Sequence, residues 1–154
     1  MILATALVSG MTAMVFGMNA HSEQTVPVLP EEVKNVKVIA AMKAAWQRSR
    51  DGSLGLEAAF RLDGTQSEYN IVAEPSTNQY HRHGVSFIPG VTFALFHVHP
   101  ITTDPAPSRG DRRFADKYKI RIYTMHAYGL YQYDPVTKRT IKLRNGLEWL
   151  KPSK

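Results

Sequence analysis

The chain has 154 residues, enough for one domain with a modest core, and it contains no cysteine. The absence of cysteine excludes disulfide bonds, thiolate metal ligands and a cysteine nucleophile. The formal net charge is +6, from 19 Lys and Arg against 13 Asp and Glu. The basic residues of the last third are scattered, and no RNA-recognition or zinc-finger pattern is present. We therefore expect a solvated basic face, with an anionic partner as the alternative that the charge leaves open.

The first 20 residues are apolar or small and carry no charged side chain. An uncharged apolar run that ends in small residues is typical of a signal peptide, so we expect a secreted or periplasmic protein whose mature chain begins between about Met18 and Glu23. The alternatives are a membrane anchor with contact through residues 2–20, and a buried helix of the fold. Residues 21–29 then form a linker, and residues 30–154 form the domain.

The first half of the domain predicts one long helix followed by short strands. Pro30 and two acidic residues are favoured in a first helical turn, and apolar residues then recur at helical spacing to about Ser49. Alternating or β-branched segments bounded by turn residues predict strands. These strands cover residues 54–62, 69–73 and 84–88.

The second half predicts a buried strand, a proline-containing loop, a short helix and a hairpin. Ser108 is a suitable N-cap for a helix that runs to about Lys117. The predicted strands cover residues 91–98, 120–125, 129–133 and 139–143, and residues 145–150 predict a final helical turn. The order indicates a single α+β domain. Its sheet is mixed and mostly antiparallel, flanked by one long N-terminal helix and a short helix after the loop.

The pattern with the clearest chemistry is His97-Val98-His99-Pro100, followed by Ser108 and Asp111. Histidines two residues apart on a strand point to the same side of the backbone. A carboxylate at Asp111 completes a His₂-carboxylate set with one position left open, which is the arrangement of catalytic zinc. We therefore predict one zinc ion per chain, bound by His97, His99 and Asp111.

Purely structural roles compete with this interpretation. His97 and His99 can be ordinary sheet residues, and Ser108 and Asp111 can be only a helix cap and its first-turn acid. A second His-x-His, at residues 81–83, lies in a polar loop without a nearby acid, which favours surface histidines over a role in a substrate cleft. The remaining candidates with a packing role are His126, Trp46 and Trp149.

With its elements in place, the motif resembles the JAMM (MPN-plus, or JAB-domain) metallopeptidase family. That family's pattern is a Glu on an early strand after a long helix, then His-x-His-Pro, seven residues, Ser, two residues and Asp. Glu57 occupies the position of that Glu, and the loop before Ser108 is similar to the RadC-type branch. The resemblance implies a JAB/MPN-like fold with a layout similar to that of cytidine deaminases.

The resemblance further implies a zinc-dependent hydrolase of peptide, isopeptide or related amide bonds, with a peptide or protein substrate and no nucleic acid. Glu57 is the expected general base, with Glu68 and Glu74 as competitors, and the Ser108 hydroxyl is a candidate oxyanion donor. Two alternatives stay open. One is a non-catalytic MPN-type binding or scaffold module, and the other is a RadC-like protein associated with nucleic acid.

Overall fold

The computed structural model describes residues 27–53, 55–74 and 86–150. The expected signal peptide, most of the linker, and His81 and His83 lie outside the described residues. Within those ranges, no helix combines the length and the hydropathy needed to cross a membrane.

The described chain forms one six-stranded sheet, and it confirms an α+β architecture in which most strands are antiparallel. The strand order is β2-β1-β3-β4-β5-β6, and only β3 and β4 run parallel. The strands are β1 (Ala59–Gly64), β2 (Tyr69–Ala73), β3 (Thr92–Val98), β4 (Arg121–His126), β5 (Gly129–Asp134) and β6 (Arg139–Asn145).

The expected long N-terminal helix is divided at Asn35 into α1 (Glu31–Lys34) and α2 (Val36–Arg48). Asn35 has an extended backbone, with φ −67° and ψ 126°, and its side chain accepts a hydrogen bond from Lys37 N at 2.9 Å. Asparagine is among the strongest N-cap residues, so it begins a new helix here although the apolar spacing continues across it. The prediction of one continuous helix was wrong for this reason.

Two strand predictions differ from the structure. Gly55 has a φ of +67°, and the strand predicted over residues 54–62 begins only at Ala59. Residues 86–88 of the strand predicted at 84–88 are not in a strand, and the rest of that segment is outside the described residues. The hairpin of β5 and β6 and the limits of β2 agree closely with the sequence patterns.

The sheet has a helical layer on each face. The α1–α2 face packs against aromatic residues at alternate strand positions, where Phe96 stacks between Phe60 and Tyr123 with ring centroids 4.6 and 4.2 Å away. The opposite face is covered by α3 (Arg109–Tyr118), which packs on Leu95 and Ile122. Because successive strand residues point to opposite faces, His97 lies on the α3 face.

The connection between β3 and β4 positions the candidate site. Parallel neighbours need a crossover, and α3 supplies it by running back along the sheet from the end of β3 to the start of β4. The first turn of α3 therefore lies beside the carboxyl end of β3, where His97 and His99 are found.

Candidate metal centre

His97 and His99 lie at the end of β3 with their rings side by side. Their Nε2 atoms are 2.9 Å apart, and both residues are about 7% exposed. The backbone N–H of His99 donates to the carbonyl of Met125 at 2.8 Å, which continues the pairing with β4 past the last strand residue. The alternation of β3 thus brings both imidazoles to one spot, as the His-x-His spacing predicts.

A hydrogen bond from the loop after β3 orients His99. Its Nδ1 lies 2.7 Å from the carbonyl oxygen of Asp104, which can only accept, so Nδ1 carries a proton and, in the neutral imidazole, Nε2 keeps its lone pair. The loop itself is closed by Thr103, whose backbone N–H and hydroxyl both donate to the Pro100 carbonyl, at 3.0 and 2.8 Å. A backbone carbonyl that sets the tautomer of a histidine is the usual outer partner of a metal-binding imidazole.

Asp111 approaches both histidines from the first turn of α3. Its Oδ2 lies 3.6 Å from His97 Nε2 and 3.7 Å from His99 Nε2. The same residue forms a capping box with Ser108. Ser108 N donates to Asp111 Oδ2 at 2.7 Å, and Asp111 N donates to Ser108 Oγ at 3.1 Å. The capping interpretation and the ligand interpretation are therefore compatible, because the cap holds the carboxylate against the imidazoles.

The three side chains form a group that can hold a metal ion, with one ligand atom from each lying within 4.8 Å of the others. Tetrahedral coordination with bonds of ~2.0–2.2 Å requires ligand atoms about 3.3–3.6 Å apart. The observed separations of 2.9, 3.6 and 3.7 Å bracket that range. Two imidazoles and one carboxylate also match the ligand types that zinc prefers, so the residues fit this ion.

The electrostatics favour an ionised carboxylate. Burial opposes the charge on Asp111, but hydrogen bonds and charge interactions with His97, together with hydrogen bonds to His99 and Ser108, hold the pKa of its carboxyl group well below the ordinary value. The pKa of His99 is raised. Burial of the imidazole acts to lower this pKa, but the hydrogen bond and charge of Asp111, the hydrogen bond to the Asp104 carbonyl and the charge of Glu57 together outweigh that effect. A deprotonated acid is the form that a metal ligand needs.

Glu57 lies near His99 although it precedes β1. Ala59 pairs with His97, and Val98 N donates to the Ala58 carbonyl at 2.9 Å, so the same register places Glu57 opposite His99. Directly opposed residues of antiparallel chains share a face of the sheet. Glu57 is half-buried, and its charge acts on His99, which agrees with this placement.

The two competing glutamates are placed differently. Glu68 is exposed in the turn between β1 and β2, at the opposite end of β1, which is about 17 Å away at the usual rise per residue. Glu74 lies near Ala59 but is buried and engaged, since it accepts hydrogen bonds from Arg61 and from the Ser86 hydroxyl. Of the three, only Glu57 lies at the site without a cationic side-chain partner among the residues described.

Comparison of the chain with protein-family models, with curated proteins and with solved structures gives no match. The site consists of a group that can hold a metal ion, formed by His97, His99 and Asp111. Ser108 contacts Asp111, and the charge of Glu57 acts on His99.

Two neighbours of the site were missed by sequence reasoning. The carbonyl of Asp104 is a backbone group that every residue type carries, so the sequence gives no signal for its contact with His99. His126, assigned only a packing role, is 1% exposed at the end of β4, where its charge interacts with that of His99. Its Nδ1 accepts from Tyr128 N at 3.1 Å, and burial lowers its pKa. The parallel register of β3 and β4, which brings His126 near His99, could not be read from the sequence.

Proposed function

We propose that this protein is a zinc-dependent hydrolase of peptide, isopeptide or related amide bonds, with a JAMM-type mechanism. The single observation that carries the proposal is the convergence of His97 Nε2, His99 Nε2 and an Asp111 oxygen, with the tautomer of His99 set by Asp104. Three protein ligands leave one coordination position for water or substrate, as in catalytic rather than structural zinc sites.

When bound, zinc supplies Lewis acidity, which makes water a nucleophile near neutral pH and polarises a carbonyl group. The protein's part is to hold the ligands in one arrangement. The sheet fixes His97, the loop after β3 fixes His99, and the capping box fixes Asp111. A site built on rigid elements in this way needs little reorganisation.

Glu57 is proposed as the general base, which takes a proton from the attacking water and passes it to the departing amine. Glu57 is half-buried, and the β1–β3 register puts this residue on the same face of the sheet as the imidazoles. It is not one of the three grouped ligands. A base outside the ligand set keeps its oxygens free for proton transfer, which typically contributes about 10²–10⁴-fold to rate.

Ser108 is proposed as the donor to the oxyanion that forms from the attacked carbonyl. Its Oγ accepts from Asp111 N, and the residue is exposed at the start of α3. Because a hydroxyl both accepts and donates, it can turn its proton from the neighbouring Asp111 carboxylate to a substrate oxygen. The same serine thus caps the helix and presents a donor beside the ligands.

The proposed substrate is a peptide or protein encountered after export, because the uncharged apolar segment at residues 1–20 fits a signal peptide. Membrane attachment through that segment is the alternative location. No single observation on the described residues favours the non-catalytic module or the nucleic-acid-associated alternative over hydrolysis.

The test is the zinc content of the purified full chain, compared with His97→Ala and His99→Ala. We expect one zinc per chain in the wild type and loss of zinc in both variants. His126→Gln is the matched control, since it removes a neighbouring imidazole outside the ligand group and should keep the metal. A wild-type chain that takes up no stoichiometric metal from zinc-supplemented buffer contradicts the proposal. Bound zinc without hydrolysis across a broad peptide library favours the binding module instead.

A further inference from the structure

A polar cavity lies at the other end of the sheet from the candidate metal centre. It has a volume of about 510 Å³ and is bounded by α1, the turn between β1 and β2, and the adjoining ends of β4 and β5. Arg121, which lines the cavity, is the first residue of β4. His126, which lies near the candidate metal centre, is the last residue of the same strand. Arg121 also alternates with Ile122, so the cavity opens on the α1–α2 face rather than on the α3 face.

Gln132 is an unusual residue in this cavity. It pairs with Tyr123 across β4 and β5 and is only 4% exposed, yet its side-chain amide makes no hydrogen bond within residues 27–53, 55–74 and 86–150. The amide atoms of Gln132 are not among the described polar atoms that are both shut off from solvent and unpaired, so they face the cavity space, whereas most amides in residues this buried have a protein partner. Gln132 lines the cavity, so a molecule bound there can supply the missing partner.

The charges of the cavity leave one carboxylate in excess. Arg121 Nη1 donates to the buried Glu32 at 2.7 Å, and the Tyr123 hydroxyl donates to the same oxygen at 2.7 Å. The guanidinium also faces the carbonyl of the Gln66 amide. Arg121 and Glu32 therefore neutralise each other, and the donors of Arg121 are largely used.

Asp134 is the carboxylate that remains. Its Oδ2 is 3.9 Å from Arg121 Nε, beyond hydrogen-bond distance, while its Oδ1 accepts from Val136 N at 2.7 Å and Thr137 N at 3.2 Å. Its side chain is about one quarter exposed and lines the cavity. Glu31, at the mouth, already pairs with Lys34 at 2.6 Å.

We propose that this cavity binds an amphipathic organic cation, namely an alkyl ammonium or alkyl guanidinium group. The head is held by Asp134 Oδ2 and by the carbonyl oxygen of Gln132, and the alkyl part lies on Val28, Leu29 and Pro30, which form the apolar wall. A charge-assisted hydrogen bond to an organic cation balances the Asp134 carboxylate, whereas an anion would meet Arg121, the one cationic side chain among the described lining residues, already neutralised by Glu32. A free alkylamine and a lysine or arginine side chain of a peptide share this chemistry.

The test uses the full chain and titrations followed by amide NMR shifts, with n-butylamine, Nα-acetyl-lysine amide and butyrate as probes. We expect saturable shifts with the amines, centred on the Gln132 side-chain amide, and none with butyrate. Gln132→Leu removes the amide at similar volume, and Asp134→Asn removes the charge but keeps an oxygen for the two turn N–H groups. Each should weaken amine binding by at least about tenfold, as expected for losing a charge-assisted hydrogen bond.

Asp51→Asn is the control, because it removes a carboxylate from an exposed left-handed position that asparagine tolerates. It should leave amine binding unchanged, as should His97→Ala, so that failure of the metal proposal does not affect this one. Tighter binding of the blocked lysine than of butylamine identifies a peptide side chain as the ligand, and the reverse identifies a free amine. Saturable binding of butyrate, no saturable response to either amine, or unchanged amine affinity in Gln132→Leu overturns the proposal.

Discussion

His99 donates its Nδ1 proton to the carbonyl of Asp104 at 2.7 Å, and this bond directs its other ring nitrogen toward His97 and Asp111. A free imidazole exchanges its proton between the two nitrogens, so a fixed tautomer has to come from a partner. Here the partner belongs to the loop between β3 and α3, and the loop therefore contributes directly to the order of the site.

Removing the metal should destabilise the protein. Ligand binding to the folded state alone stabilises it by mass action, and a His₂-carboxylate set is scattered in the unfolded chain. We expect a chelator to lower the thermal midpoint of zinc-loaded wild type but to leave that of His97→Ala unchanged. An equal response of both proteins to the chelator, measured by circular dichroism, contradicts a specific site at these residues.

Glu57→Gln should keep the zinc and lose activity. The amide is nearly isosteric but cannot take up a proton, so turnover of an amide substrate should fall by roughly 10²–10⁴ with metal content unchanged. Glu68→Gln is the matched control, since it makes the same change at the far end of β1 and should retain wild-type turnover. If Glu57→Gln retains full turnover, the base is another residue.

Ser108 has two roles that separate in two variants. Ser108→Ala should lose the helix cap, at about 1 kcal/mol of unfolding free energy, and also the hydroxyl donor. Ser108→Gly lacks the same hydroxyl but costs only a few tenths of a kcal/mol as an N-cap.

Both Ser108 variants should retain zinc and lose turnover by about 10²–10³ if the hydroxyl stabilises the oxyanion. The paired measurements are urea denaturation and turnover. If Ser108→Gly regains both the stability and the turnover that Ser108→Ala loses, the serine acts only as a helix cap.

The ion pair of Asp116 should contribute a stability that depends on pH. Asp116 accepts from Lys138 Nζ at 2.6 Å and from the Tyr133 hydroxyl at 2.9 Å, and chiefly the lysine lowers its pKa. A carboxyl group whose pKa is depressed by folding stabilises the protein above its unfolded pKa, near 4, and loses that contribution as the pH falls below it.

Asp116→Asn should therefore be slightly less stable than wild type in urea at neutral pH, and the difference should shrink on acidification below about pH 4. The effect is small because the pair is exposed to solvent. Asp51→Asn should show no comparable difference at neutral pH. If the difference in unfolding free energy between Asp116→Asn and wild type grows as the pH falls, ionised Asp116 is not the source of the stabilisation.

Local signals in the sequence were enough for several features of the molecule. Alternation and turn residues predicted β2 and the hairpin of β5 and β6, because those patterns act between near neighbours in the chain. Ser108 predicted the start of α3 through its capping preference. His97, His99 and Asp111 were identified as a group because a strand and a following helix turn place such spacings together.

Other features depended on partners far away in the chain. The choice among Glu57, Glu68 and Glu74 required the register of β1 against β3 and the capture of Glu74 by Arg61. The cavity beneath Gln132 required α1 to meet β4, joining Glu32 to Arg121 across 89 positions. The type of a residue determines which groups its side chain can bind, but only the packing of the sheet determines which side chains come into contact. Because burying a polar group without a hydrogen-bond partner costs free energy, the packed arrangement is stable only where such groups are paired.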